Sequence, residues 1–475
     1  MPSDRPNILL LVADQLSPQA VGAYGHQPAA TPRIDRLASQ GVRFERTYSP
    51  CPLCTPARAA FWTGLLPHAT GVMSNGHGFP IPPLDEAIPT LGELFAAAGY
   101  QAVHFGKQGC GDALRGFEVR PAGKGEAEPE APAWTLSADT FRDVHATEQA
   151  VAFLEGEARD PFIMVADLNN PHDICHWVGE NAGPHEDAPL PEGAGLPPLP
   201  DNFEIDDIER RPRPIQYLCC AHRRLAEAAG WSRENYRHYL AAYHHYVNRA
   251  DRCIGRILDA LGRSAAAENT LIVFFSDHGD GMARHRMVTK HTSFYEQTVR
   301  VPLIFAGRGV AGAGRAATAP LASLLDLLPT LCAAAGIDPP QRCHGRSLWP
   351  WVRSSGEVAE PPDAPGYVTS QWHTEWGHTI EPGRMIRTDR YKYTRYIEDA
   401  GEELYDLWSD PGEQRTLIHD PAHAAALETH RRLLAECTER TQDPFFEMGF
   451  KADPRWRSHP PGYPNHEGPA APQAE

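Results

Sequence analysis

Apolar runs that stop abruptly at polar side chains are the clearest pattern along the chain. Asn7 to Ala13 reads Asn-Ile-Leu-Leu-Leu-Val-Ala and then meets Asp14 and Gln15. A continuous run of this kind suits a strand buried on both faces of a parallel sheet. Its polar residues then fall at the strand's C-terminal edge, where open α/β sheets bind ligands. The design recurs. Gly99 to Phe105 ends at Gly106 and Lys107, Pro161 to Ala166 runs into Asp167, Asn169 and His172, and Asn269 to Phe275 ends at Ser276, Asp277, His278 and Gly279. Helical periodicity occupies 32–41, 88–98, 147–155 and 233–261, the last carrying Tyr239, Tyr243 and Tyr246 near one face. That aromatic stripe predicts core packing rather than a cofactor site.

The pattern changes in the last quarter. An apolar helix is expected within 319–335, and the Pro-rich stretch 339–365 marks a boundary. Beyond it, Arg384 to Tyr396 alternates as an antiparallel hairpin does, and 422–441 reads as a final helix. The expected architecture is a large doubly wound α/β domain around a mixed sheet, residues 1–360. It carries a smaller C-terminal α+β domain of antiparallel sheet plus helix, 361–475. Segment 121–136 predicts an exposed insertion, 178–215 a long loop rimming the site, and the Pro-rich tail an extended segment.

One stretch looks chemically reactive: Cys51-Pro-Leu-Cys54-Thr55-Pro56-Ala-Arg58, followed by Thr63-Gly64. Thr55 suits an N-cap, Pro56 the first helical position and Gly64 the left-handed stop. Cys54 would then sit just before a helix whose free N–H groups attract an anion, with Arg58 on the same side as a forked donor. Asp14 and Gln15, together with Asp277 and His278, supply metal-type ligands from two strand ends far apart in the chain. A metal site assembled by the fold requires that arrangement.

Composition narrows the partners. With 44 Lys plus Arg against 61 Asp plus Glu, the net charge of −17 argues against nucleic acid and anionic membranes. Ten cysteines without regular spacing contain no paired Cys-x-x-Cys knuckles, and most read as buried thiols of a reducing compartment. The first apolar run is too short to span a membrane and no small-residue cleavage site follows it. The expected location is cytoplasmic, and assembly into a homo-oligomer is left open.

Cys54-x-Pro-x-Arg58 with Thr63-Gly64, Gly106-Lys107, Pro171-His172, Ser276-Asp277-His278-Gly279 and Lys290 together resemble the formylglycine-dependent (type I) sulfatases of the alkaline phosphatase superfamily. The resemblance runs along almost the whole chain. It implies that a formylglycine-generating enzyme oxidises Cys54 to formylglycine, whose hydrated aldehyde attacks the ester. It also implies one divalent cation held by Asp14, Gln15, Asp277, His278 and residue 54, with calcium the family's usual ion. His278 and the Gln15 amide bring manganese or zinc into range. Arg58, Lys107 and Lys290 would neutralise the substrate's sulfate, and His172 or Lys290 would protonate the departing oxygen. The expected substrate is a small-molecule or saccharide sulfate ester, bound by Asn75 and by His373, His378 and Arg384 of the C-terminal part.

One departure stands out: where the family reads Gly-Lys-Trp-His, this chain reads Gly106-Lys107-Gln108-Gly109. That favours a rival reading, the phosphonate monoester and phosphodiester hydrolases of the same superfamily, while Lys107 favours sulfate esters. A non-catalytic anion binder is the second rival, and direct Cys54 thiolate catalysis the third.

Overall fold

The computed structural model describes residues 5–25, 31–75, 81–121, 140–180, 195–204, 210–216, 228, 230–290, 293–362, 364–373, 381–397 and 400–448. Most of the 121–136 insertion, much of the 178–215 loop, the tail beyond 448 and His378 lie outside these residues.

Eight strands form the main sheet. From edge to edge they are Arg315–Ala317 (β10), Val42–Phe44 (β2), Leu303–Gly307 (β9), Thr270–Ser276 (β7), Asn7–Asp14 (β1), Phe162–Pro171 (β6), Gln101–Gly106 (β4) and Glu118–Pro121 (β5). β1 pairs in parallel with β6 and β7, whereas β9 runs antiparallel to β7 and β2, so the sheet is mixed as expected. All residues of β1 are buried. Leu9, Leu11 and Ala13 face a core containing the tyrosines of the long helix Arg233–Arg263, while Ile8, Leu10 and Val12 face one containing Phe61, Trp62 and Leu327. Helices on both sides explain why the strand carries apolar residues at every position rather than at every second one.

Helix ends moved where capping decided them. The expected helix 88–98 shortens to Leu91–Ala97 because Thr90 and Glu93 close a capping box. The one expected at 147–155 starts earlier, as Thr140–Ala152, and runs on into a π-turn at Phe153–Glu157. A small sheet of Ala322–Ser323 (β11), Thr47–Tyr48 (β3) and Arg300–Val301 (β8) leads towards the C-terminal part.

There Val368–Trp372 (β12), Gly383–Arg387 (β13), Tyr391–Tyr396 (β14) and Glu402–Asp406 (β15) form an antiparallel sheet. Its faces divide: Ile386, Tyr393 and Leu404 pack with Leu427 and Leu434 of the helix Ala424–Thr441, while Met385, Tyr396 and Tyr405 join the large core. Among the described residues no helix is long and apolar enough to cross a membrane.

Candidate active site

Parallel pairing of β1 with β7 sets Ala13 opposite Ser276, so the two polar strand ends emerge side by side. The Gln15 N–H donates to Asp277 Oδ1 at 3.0 Å across 262 residues of chain. Gln15 does so with φ 70°, left-handed backbone that a non-glycine residue adopts only where its surroundings hold it.

Cys54 enters from the side. Its helix, Cys54–Thr63, begins two residues earlier than expected, with Leu53 rather than Thr55 as N-cap, and ends at Gly64 with φ 70° as predicted. Leu53 offers no capping side chain. Asn75 serves instead, its Oδ1 accepting the Thr55 N–H at 3.0 Å. Cys54 Sγ stands 3.1 Å from His278 Nε2 and 3.7 Å from Asp14 Oδ1. One ligand-type atom from each of Asp14, Cys54, Asp277 and His278 lies within 4.8 Å of the others, and all four residues are buried.

His278 Nδ1 is 2.8 Å from the Gly279 carbonyl, to which it donates, and this leaves Nε2 aimed into the cluster. Burial pushes the imidazole's pKa down, but Asp277, Cys54 and Asp14 more than offset that and raise it to about 9. A proton and a metal ion therefore compete for Nε2. Two carboxylates, an imidazole nitrogen and the side chain of residue 54 make a donor set that fits a divalent cation.

Cations surround this acid pair. Burial and Asp14 push the Cys54 thiol up, yet Lys290, Lys107 and His278 outweigh them and hold it below its ordinary value. Asp14 is likewise held well below the carboxylate range, burial being overcome by Lys107, His172, Arg58 and Lys290. Lys107 Nζ bonds Asp14 Oδ2 directly, placed by Gly106, where φ is +102° and a Cβ would stand 2.0 Å from the Asp167 carbonyl. At Gly109, where the family histidine is missing, a Cβ would lie 3.7 Å from Lys107 Cε and 4.0 Å from Thr55 Oγ1. The position therefore faces the start of the helix that carries Cys54.

Several expected roles change. Arg58 does not reach out to an anion: it is wholly buried, with Nε 2.9 Å from Asp277 Oδ2, one terminal nitrogen on Asp167 and the other 3.4 Å from Asp14 Oδ2. Its fork joins three adjacent strands, β6, β1 and β7, which is a positioning role. Gln15, expected as a metal ligand through its amide, instead donates from Nε2 to Asp280 at 2.7 Å and accepts from Lys290 Nζ at 3.2 Å and Cys175 Sγ at 3.3 Å. For its oxygen to ligate a metal, Lys290 would have to release it. Asn75 spends its oxygen on the helix start. Arg384 is buried, with Nε and Nη2 on Asp443 at 2.6 and 2.9 Å and Nη1 on the Trp372 and Gly383 carbonyls. Those bonds commit its fork to the fold rather than to a ligand. His373, beside it, is pushed down to about 4 by burial and Arg384, so it is neutral and offers no charge to an anion.

The sequence reading missed a supporting layer. Asp167, in the middle of β6, holds Arg58 and lies 3.4 Å from His104 of β4. Asp280 accepts from Tyr239 and Gln15, and Tyr243 donates to the Gln15 carbonyl at 2.7 Å while accepting the Ser17 N–H at 3.1 Å. The aromatic stripe is thus core on its ring faces and scaffold at its hydroxyls. Asp167 carried the same strand-end signal as Asp14, whereas nothing in the periodicity marked the tyrosine hydroxyls.

A doubly wound sheet whose strand ends gather two acids, a histidine and a helix-borne reactive residue, ringed by cations, defines a hydrolase of anionic esters. Residues 6–337 match the sulfatase family, and 284–440 match the C-terminal region of N-sulphoglucosamine sulphohydrolase. The chain belongs to the sulfatase family, and hydrolysis of a sulfate ester is its chemistry. It is 47% identical over 470 residues to the Delta 4,5-hexuronate-2-O-sulfatase of Bacteroides thetaiotaomicron, covering 98% of this chain and 96% of that protein. It is 30% identical to the choline-sulfatase of Rhizobium meliloti, over 89% of this chain and 84% of that one. A solved 2-O GAG sulfatase superposes with a TM-score of 0.91 at 46% identity, covering 98% of this chain and 99% of that one.

Proposed function

We propose that this protein removes the 2-O-sulfate of a Δ4,5-hexuronate, a sulfated sugar of the glycosaminoglycan class. The observation that carries a sulfate-ester site is Cys54 at a helix start, set against Asp14, Asp277 and His278 with Lys107 and Lys290 beside it. The sugar follows from the 47% identical relative, which matches along 98% of the chain.

When in place, formylglycine made from Cys54 would supply the nucleophile, and a divalent cation held by Asp14, Asp277, His278 and residue 54 would supply Lewis-acid charge. Hard carboxylates favour calcium, and His278 admits manganese or zinc. The chain's own side chains do the rest. Arg58 keeps Asp14, Asp167 and Asp277 in register from beneath the site. Lys107 and Lys290 balance the sulfate's negative charge as it shifts onto the bridging oxygen, and each is already held next to a site residue, Asp14 or Gln15. His172, near enough to Asp14 to lower its pKa, holds the proton for the departing sugar oxygen.

The test is a hydrolysis panel on protein matured by a formylglycine-generating enzyme. It would compare a 2-O-sulfated Δ4,5-hexuronate disaccharide, an aryl sulfate, choline sulfate, a phosphonate monoester and a phosphodiester. The hexuronate sulfate should give the highest kcat/KM. A preference for the phosphonate or the diester would overturn the reading.

A further inference from the structure

Beyond the principal cluster, one other group of side chains among the described residues has the make-up of a metal site, and the mechanism above uses only one of its members. The chain reads His172-Asp173-Ile-Cys-His176 directly after β6. The turn that follows the strand has the His172 carbonyl accepting the Cys175 N–H at 2.8 Å, and the Asp173 carbonyl accepting the N–H groups of His176 and Trp177 at 3.0 Å each. That winding brings His176 one helical turn past His172, so the two imidazoles share a side, with ring centroids 6.1 Å apart. One ligand-type atom from each of His172, Asp173 and His176 lies within 4.8 Å of the others. The Asp173 carboxylate is oriented from behind, its Oδ1 accepting from Asn169 Nδ2 at 2.8 Å. Both histidines are only half-buried, so an ion can reach them from solvent.

We propose that His172, Asp173 and His176 form a second divalent-cation site, of zinc type, and that filling it inhibits the enzyme. Two imidazole nitrogens and one carboxylate oxygen are a three-ligand zinc set that leaves the fourth position to water. The same donors suit calcium poorly, since it takes six to eight oxygens. Inhibition follows from the shared residue, and this half of the proposal rests on His172 as the proton donor. An imidazole nitrogen bound to zinc cannot deliver a proton to the departing oxygen. Asn169 acts as the outer partner that aims the carboxylate, a contribution that outer-sphere groups commonly make.

The experiment uses mature, calcium-saturated enzyme and zinc ion as the probe. Native mass spectrometry and equilibrium dialysis count zinc per chain without substrate, and turnover is followed separately with whichever ester the enzyme hydrolyses. One zinc should bind per chain without displacing calcium, and turnover should fall as it fills. His176→Ala and the more conservative His176→Gln should keep basal turnover. Each should weaken zinc binding by about a hundredfold or more, since loss of an outer-sphere partner alone costs 10–100-fold. Their turnover should no longer respond to zinc.

Zinc binding unchanged in both variants, or zinc that displaces calcium one for one, would overturn the site. Zinc bound at His176 with turnover unaffected would overturn the inhibition. Because binding is read without substrate, failure of the hexuronate assignment leaves that measurement intact.

Discussion

Replacing Arg58 by methionine or by lysine separates a residue that binds substrate from one that holds the site together. The guanidinium is wholly buried and serves Asp277, Asp167 and Asp14 at once. Burial would lower its pKa, but the three carboxylates hold it well above the usual arginine value. Methionine keeps the aliphatic volume and removes the charge, leaving three buried acids without their common partner. Breaking a buried pair in this way costs about 3–5 kcal/mol. Lysine keeps the charge as a single point and cannot span three strands with a planar fork. It should forfeit at least one charge-assisted hydrogen bond, about 1.5–3 kcal/mol. Urea unfolding of the metal-free proteins should therefore rank wild type above Arg58→Lys and Arg58→Met lowest, with the metal-site affinity falling in the same order. If the methionine variant unfolds with wild type and its only defect is a raised KM for the sulfate ester, then Arg58 reaches the substrate and the positioning role is wrong.

Four further outcomes are expected. In active protein, mass spectrometry of the peptide bearing residue 54 should show formylglycine, and Cys54→Ala should be inert; a free thiol in fully active enzyme would refute the nucleophile. Asp277→Asn, which keeps shape and removes charge, should lower bound divalent ion below one per chain and abolish turnover, as should a chelator; unchanged metal content would mean the ligands are misassigned. Lys107→Ala should depress sulfate-ester turnover by about a hundredfold or more, the cost of one lost charged contact in the transition state, with any side activity on phosphodiesters falling less; equal losses would point to the phosphonate and diester hydrolases. The pKa of His285, which lies against Tyr295, is pushed down to about 3 by burial and by Arg211 and Arg284. Its neutral form is the folded one. The unfolded chain's histidine binds a proton near pH 6.5, so this site costs stability as pH falls from there towards 3, about 1.4 kcal/mol per pH unit at most. Between pH 6.5 and 4 the melting temperature of His285→Gln should therefore fall less steeply than that of wild type; parallel slopes would refute the assignment.

What could be read without coordinates was whatever the local chain must satisfy by itself. Ile8–Ala13 and Leu271–Phe275, the interiors of two central strands, need apolar residues at every position because both their faces are covered, and that need is written in consecutive residues. Gly64 ends its helix with positive φ, and the spacing within Cys54-x-Pro-x-Arg58 is a property of one turn of chain. The long helix was legible from its own period. Roles that depend on which group arrives opposite were not. Arg58 looked like an anion receptor until carboxylates from three strands, drawn together by sheet pairing, closed on it. Asn75 and Arg384 looked free to bind a ligand, and the fold committed one to the Thr55 N–H and the other to Asp443. The hydroxyls of Tyr239 and Tyr243 became scaffold because the helix crosses beneath Gln15 and Asp280. A buried polar group must find its partner within about 3 Å, and across hundreds of residues only the tertiary structure decides which partner that is.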